Sequence, residues 1–180
     1  MSVGTIDRPE RELMIVVVEE EPKHREGISA LHRVAFGGDG EARLVERLRR
    51  DRLVAASLVA LADGDVIGHI LFSDLAVEVD GRTVRAAALA PMAVRPDRQR
   101  QGVGTRLVSA GLSIVQDRGY AAVVVLGHAD YYPRFGFSAA LARRLAAPFS
   151  GDSFMALELI PGALDGASGA VSYPPAFELT

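Results

Sequence analysis

No cysteine occurs among the 180 residues. Disulfides, thiolate-bound zinc and a cysteine nucleophile are excluded together, and a reducing cytoplasmic setting fits. Long hydrophobic runs are missing as well. The first strong apolar stretch, Leu13 to Val18, is six residues long and stops at Glu19-Glu20-Glu21. That is too short to span a bilayer and lacks the form of a signal peptide. Charge of one sign is not in excess: 20 Lys and Arg stand against 23 Asp and Glu, for a net charge of −3. This balance argues against broad electrostatic binding to nucleic acid or to an anionic membrane. No internal repeat and no clear domain boundary is visible.

What remains is chain enough for one domain, with 49% hydrophobic residues to fill one core. Residues 1–12 are polar and expected to be flexible; residues 13–180 are expected to form the domain. The β-branched run Leu13 to Val18 predicts a buried strand. From Lys23 to Phe36, helical spacing places Ile28, Leu31, His32 and Ala35 on one face. Gly37-Gly38-Asp39-Gly40 breaks that pattern, as a helix-helix turn or as a lid. A second amphipathic helix follows from about Glu41 to Asp51, with Leu44, Val45 and Leu48 inward.

The period then changes to that of strands. Leu58 to Ala62, Val66 to Asp74, Leu75 to Val79 and Thr83 to Leu89 read as a meander, the last strand continuing to Val94. Asp63-Gly64 and Asp80-Gly81 are its hairpin dipeptides. Helical spacing returns after Gln99, with Val103, Leu107, Ala110, Ile114 and Val115 on one face, and Gly119 ends it. Ala121 to Leu126 predicts a buried strand, so strand, helix and strand imply a right-handed crossover and a parallel pair. A short helix over Asp130 to Phe135, a strand over Phe154 to Ile160 and a final strand near Ala176 to Leu179 complete the expectation.

The informative stretch is Leu89 to Thr105, LAPMAVRPDRQRQGVGT. A strand ends, a basic loop follows, and two glycines open a helix. The first N–H groups of a helix have no intrahelical partner and carry the positive end of its dipole. Gly102 and Gly104 keep side chains out of the way of a phosphate, and Arg95, Arg98, Arg100 and Arg106 add cationic reach. A pyrophosphate suits such a place. The plain alternative is a strand-to-helix turn that happens to contain glycine. The segment is neither a P-loop nor a three-glycine dinucleotide fingerprint. Pro91, inside an otherwise apolar strand, cannot donate to a ladder. It marks either an edge or a strand that peels from its neighbour near Pro91 to Val94.

Gln99-Arg100-Gln101-Gly102-Val103-Gly104 resembles the Q/R-x-x-G-x-G/A motif of the GNAT N-acetyltransferase superfamily. The element order is similar over nearly the whole chain. The phrases LAPMAVRPDRQRQGVG and VLGHADYYPRFGF look closest to the bacterial YhbS-like branch. The resemblance implies an α/β fold with a mixed, centrally splayed β-sheet flanked by helices. It implies acetyl-CoA as co-substrate, with no metal. The cofactor-binding positions would be Met92, Ala93, Val94, Gln99, Arg100, Gln101, Gly102, Val103, Gly104 and Thr105. It also implies that Tyr132, four residues before Gly136-Phe137, protonates the departing thiolate. A phenol has a reference pKa near ~10 against ~8.5 for a thiol, so neutral tyrosine is available for that task. The alternative is that Tyr131 and Tyr132 only pack beside Phe135 and Phe137.

The attacking amine must lose a proton, yet nothing ionisable lies between Ala86 and Val94, where many relatives carry a carboxylate. The base is therefore unassigned, with water, His128 and His69 as alternatives; Asp130 reads as a helix cap. The carbonyl oxygen's charge would meet a backbone N–H near Met92 to Val94. The expected function is transfer of acetyl from acetyl-CoA to a primary amine, a small molecule or a protein, by direct attack in a ternary complex. Two other readings stand beside it: a CoA-binding sensor with little turnover, and an acyltransferase using a longer acyl-CoA. Neither nucleic acid nor membrane is expected as a partner, and the chain is expected as a monomer or homodimer in the cytoplasm.

Overall fold

Two long neighbouring strands, β3 (Asp65–Val79) and β4 (Arg82–Val94), form the spine of the computed structural model, which describes residues 14–178. The expected flexible segment, residues 1–12, lies outside the described residues, as does Leu179. The other strands are β1 (Ile15–Glu19), β2 (Val54–Ala62), β5 (Ala122–Leu126), β6 (Leu145–Ala146), β7 (Phe154–Glu158) and β8 (Gly169–Ser172). The helices are α1 (Arg25–Phe36), α2 (Gly40–Arg50), α3 (Val103–Asp117) and the short α4 (Ala139–Ala142). The main sheet order is β1-β2-β3-β4-β5-β7, with β8 joined to β3 and β6. All its pairs are antiparallel except β4 with β5 and β6 with β8. The mixed sheet flanked by helices is the fold class that the sequence predicts.

β3 is one strand where the sequence suggests two. Asp74 looks like a break, but its carboxylate accepts a hydrogen bond from the Tyr120 hydroxyl and its N–H donates to Leu53 O at 2.8 Å. The polar residue is satisfied inside the strand, so the strand continues. One edge of β3 pairs first with β2 and then, over Ala76 to Val79, with β8. The final strand expected near Ala176 to Leu179 is instead β8, earlier in the chain, followed by a 3-10 turn at Pro175–Phe177. Prolines 174 and 175 deny the later segment its ladder donors. The tail is tied back by Asp80, whose carboxylate accepts from Ala167 N and Ser168 N at 2.9 Å each.

Helices cover both faces. On one, Val103, Leu107, Val108 and Val115 of α3 pack with Ile70, Phe72, Val123 and Val125. Gly68 and Gly111 permit the close approach: a Cβ on Gly111 would stand 2.2 Å from the Phe72 ring. On the other face, Ile28 of α1 and Val45 and Leu48 of α2 pack on Val59 and Leu71. Burying each such side chain fully stabilises by about 1.5–3 kcal/mol relative to exposure. Gly37 ends α1 at φ 73, a left-handed conformation suited to glycine, and returns its N–H to Arg33 O at 2.9 Å. Three residues later α2 begins, and Arg33 Nε bonds Asp39 at 2.6 Å. The Gly37 to Gly40 segment is thus a tight helix-helix turn.

Candidate active site

The sheet opens beside Pro91. β4 and β5 pair in parallel from Ala86 with Ala122 to Leu89 with Val125, and β5 ends at Leu126. β4 runs on alone on that side. Against β3, Leu89 pairs with Phe72 and Met92 with Ile70, so Ala90 and Pro91 together oppose Leu71. This bulge lies at the point where β4 leaves β5, and the Ala90-Pro91 peptide within it is cis. Arg95 donates its N–H to Ile67 O at 2.8 Å, towards β3. N–H groups alternate sides along a strand, so those of Met92 and Val94 face the opening.

The α3 N-terminus stands at the same opening. Gly102 precedes it at φ 81 with no side chain to cap it, and no acidic residue occupies the first turn. The first intrahelical bond is Arg106 N to Gly102 O, 3.0 Å, which leaves the N–H groups of Val103, Gly104 and Thr105 without helical acceptors. A Cβ on Gly102 would meet nothing within 4 Å, so the approach from that side is open. A Cβ on Gly104 would lie 2.8 Å from the Tyr131 hydroxyl. The loop is braced from within: Gln99 Nε2 donates to Val94 O at 3.2 Å and Gln101 Nε2 to Asp97 O at 3.1 Å. Arg95 and Arg98 both turn to Asp97, at 2.7 and 3.7 Å. Of the four expected arginines only Arg100 lines the opening, and Arg134, which sequence reasoning missed, joins it.

Together these elements enclose a cleft of about 1270 Å³. Met92, Ala93, Val94, Gln99, Arg100, Gly102, Gly104, Thr105 and Tyr132 all line it. Gln101 and Val103 do not: the Gln101 amide is spent on Asp97, and the Val103 side chain is buried against the sheet. Tyr132 stands at the end of β5, with its ring against Gly127; a Cβ there would be 2.3 Å from the ring. Tyr131 and Phe137 meet it edge-on at 5.1 and 5.6 Å. Burial first, and Tyr131 second, push the Tyr132 pKa up to about 12. The phenol therefore keeps its proton at any physiological pH.

The alternative bases separate clearly. His128 is exposed and lines the cleft. His69 is wholly buried, hydrogen-bonded to His32 and Ser57, and away from the lining. Asp130 does not cap a helix: the 3-10 turn at Tyr132–Phe135 has no side-chain cap, since Tyr131 N and Tyr132 N both donate to His128 O, at 3.0 and 3.4 Å, and Pro133 has no N–H to satisfy. The sequence also did not point to Phe36, Glu41, Leu44, Phe149, Tyr173 and Phe177, which line the far end. They come from separate segments and share no spacing that a motif could carry.

An opened parallel strand pair beside an uncapped, glycine-led helix N-terminus defines a class of acyl-group transferases, and comparison with known proteins makes the class specific. Residues 19–140 match the family described as Acetyltransferase (GNAT) domain, and the chain belongs to that family of acetyl-CoA-dependent N-acetyltransferases. It is 40% identical over 163 residues to the N-acetyltransferase YhbS of Escherichia coli K12, spanning 89% of this chain and 96% of that one. The crystal structure of E. coli YhbS in complex with CoA superposes with a TM-score of 0.84 at 37% identity, covering 96% of both chains. A GNAT acetyltransferase from Brucella melitensis, solved with acetyl-CoA, gives a TM-score of 0.75 at 32% identity, over 91% of this chain and 98% of that one.

Proposed function

We propose that the cleft binds acetyl-CoA across the α3 N-terminus and the opened strands, and transfers its acetyl group to a primary amine. The observation that carries the reading is the meeting, in one cleft, of unpaired N–H groups on β4 with the uncapped start of α3. Phosphate oxygens suit the N–H groups of Val103, Gly104 and Thr105, with Arg100 at their side. The open space beside Gly102 leaves the approach to these N–H groups unobstructed.

Met92 and Val94 present the backbone N–H groups that meet the charge developing on the carbonyl oxygen as the amine nitrogen attacks. The new C–N bond forms as the C–S bond breaks. Tyr132 gives its proton to the departing sulfur, and the proton lost by the amine nitrogen leaves through water. Solvent then restores the Tyr132 proton. No covalent attachment to the protein is needed, and the relatives solved with CoA and acetyl-CoA support the ligand assignment.

Isothermal titration of acetyl-CoA into wild type and Gly102→Glu tests the reading. The expected result is binding by wild type and none by the variant, whose carboxylate would occupy the anion's place. No wild-type binding at millimolar ligand would remove the basis for the proposal.

A further inference from the structure

The cleft extends past the strand opening to a second end. Its walls there come from the helices on the sheet face opposite α3, from the loop between β6 and β7, and from the tail: Phe36, Glu41, Leu44, Phe149, Tyr173 and Phe177. Four of these six are aromatic. Three brace one another, Phe149 edge-on to Tyr173 at 5.2 Å and Tyr173 edge-on to Phe177 at 5.0 Å. The tail that carries Tyr173 and Phe177 is tied to α2, where Arg47 Nε donates to Ala176 O at 2.6 Å. Phe36, at the end of α1, is 47% exposed, a large apolar ring left facing the opening. Phe149, Tyr173 and Phe177 lie beyond the matched family region, residues 19–140. Half of this wall therefore lies outside the matched region, and the other half comes from α1 and α2.

Charge at this end is one-sided. Glu41, in the first turn of α2, is the charged side chain these segments contribute to the lining. The guanidinium groups of the lining, Arg100 and Arg134, belong to the opposite end: Arg100 sits in the loop before α3, and Arg134 packs at 4.5 Å over Tyr131, whose hydroxyl stands above Gly104. Aromatic faces and a carboxylate both attract a cation, and aromatic walls favour an apolar body. An acceptor carrying its own carboxylate or phosphate would meet Glu41, and among the described residues these segments add no cation to the lining: Arg47, behind it, is held by Ala176 O and Glu178.

We propose that this end is the acceptor subsite and that it takes a hydrophobic primary amine, with an aryl or alkyl body. Glu41 draws in the ammonium form, and the nitrogen loses its proton before it attacks. The inference rests on the acetyltransferase reading above and narrows it to a substrate class.

The test uses the full chain, with thiol release from acetyl-CoA as the readout. The acceptors are 2-phenylethylamine, aspartate and glucosamine 6-phosphate, and calorimetry of acetyl-CoA runs in parallel. The expected kcat/KM for phenylethylamine exceeds both others by at least about tenfold. Glu41→Gln is expected to raise the phenylethylamine KM by roughly fivefold while the acetyl-CoA KM stays unchanged. Glu41→Arg should narrow the gap between phenylethylamine and aspartate. Phe36→Ala, at an exposed position, should raise the phenylethylamine KM independently of charge. If acetyl-CoA binds but the anionic acceptors react as well, or none of the three reacts, the subsite proposal is overturned. An unchanged phenylethylamine KM in Glu41→Gln overturns it too. If acetyl-CoA does not bind, the acetyltransferase reading itself fails, and this inference with it.

Discussion

His32 Nε2 and His69 Nδ1 lie 2.8 Å apart, in a hydrogen bond between two wholly buried rings on α1 and β3. Its direction follows from the far end of the chain of contacts. The Glu20 carboxylate is ionised and only accepts, so Ser57 donates to it at 2.5 Å. Ser57 Oγ then accepts from His69 Nε2 at 2.9 Å, and His69 Nδ1 accepts from His32. His32 Nδ1 is left bare, buried and, among the described residues, without a partner. Both imidazoles are neutral in this arrangement.

Mild acid should therefore weaken the fold. Burial, then the neighbouring His69 and Arg49, hold the His32 pKa down to about 3, and burial lowers that of His69. A depressed folded-state value means that the unfolded chain takes up protons first. Stability is full above the unfolded pKa of about 6.5 and falls progressively below it, for His32 towards about 3. At Glu20, burial raises the pKa, but hydrogen bonds from His69, Ser57 and Arg49 outweigh it and hold the value at about 2. Its loss begins below its ordinary 4.5. Urea midpoints measured from pH 7.5 to 5 should fall for wild type and fall less for His32→Asn. Equal slopes would show that His32 is not the source.

Tyr132→Phe removes the acid and keeps the ring against Gly127. Turnover should drop by roughly 10²–10⁴-fold, with acetyl-CoA binding unchanged by calorimetry. With the pKa at about 12, the wild-type rate should show no Tyr132 ionisation up to pH 10. A phenylalanine variant with normal turnover would return Tyr132 to a packing position.

The two glycines of the anion loop should fail differently. Gly102→Ala puts a Cβ into open space but forces alanine to φ 81, a strain of roughly 1–2 kcal/mol. Its main effect should be a lower thermal midpoint. Gly104→Ala instead places a methyl 2.8 Å from the Tyr131 hydroxyl, so Tyr131 must shift at the phosphate end of the cleft. Its main effect should be a weaker Kd for acetyl-CoA, read by calorimetry. Indistinguishable profiles would refute the distinction.

Gly111→Ala sets two magnitudes against each other. Alanine in a helix is favoured over glycine by about 1 kcal/mol. Here the methyl would lie 2.2 Å from the Phe72 ring, which is itself wholly buried and has nowhere to move. Overpacking costs about 1–3 kcal/mol and should win, so the midpoint in urea falls. A stabilised variant would mean that the interface between α3 and β3 yields.

The sequence by itself determined the elements whose information is local. Periodicity placed α1, α2 and α3 to within a few residues, and Asp63-Gly64 and Asp80-Gly81 located the hairpins that order β2, β3 and β4. Pro91 marked where β4 leaves β5, because a residue without an N–H carries that consequence wherever the chain goes. Gly102 and Gly104 marked the helix start for the same kind of reason. Tertiary structure alone decided the rest. Asp74 broke the expected strand in sequence but not in space, since its partner Tyr120 is 46 residues away. Arg95 and Arg98 counted as ligand cations until Asp97 was seen to hold them, and Arg134 entered from another segment. Glu41, Phe149 and Tyr173 have no common spacing. They converge because the sheet faces and the tied-back tail bring α2 and the last strand together, and a convergence made by packing leaves no periodic trace in the chain.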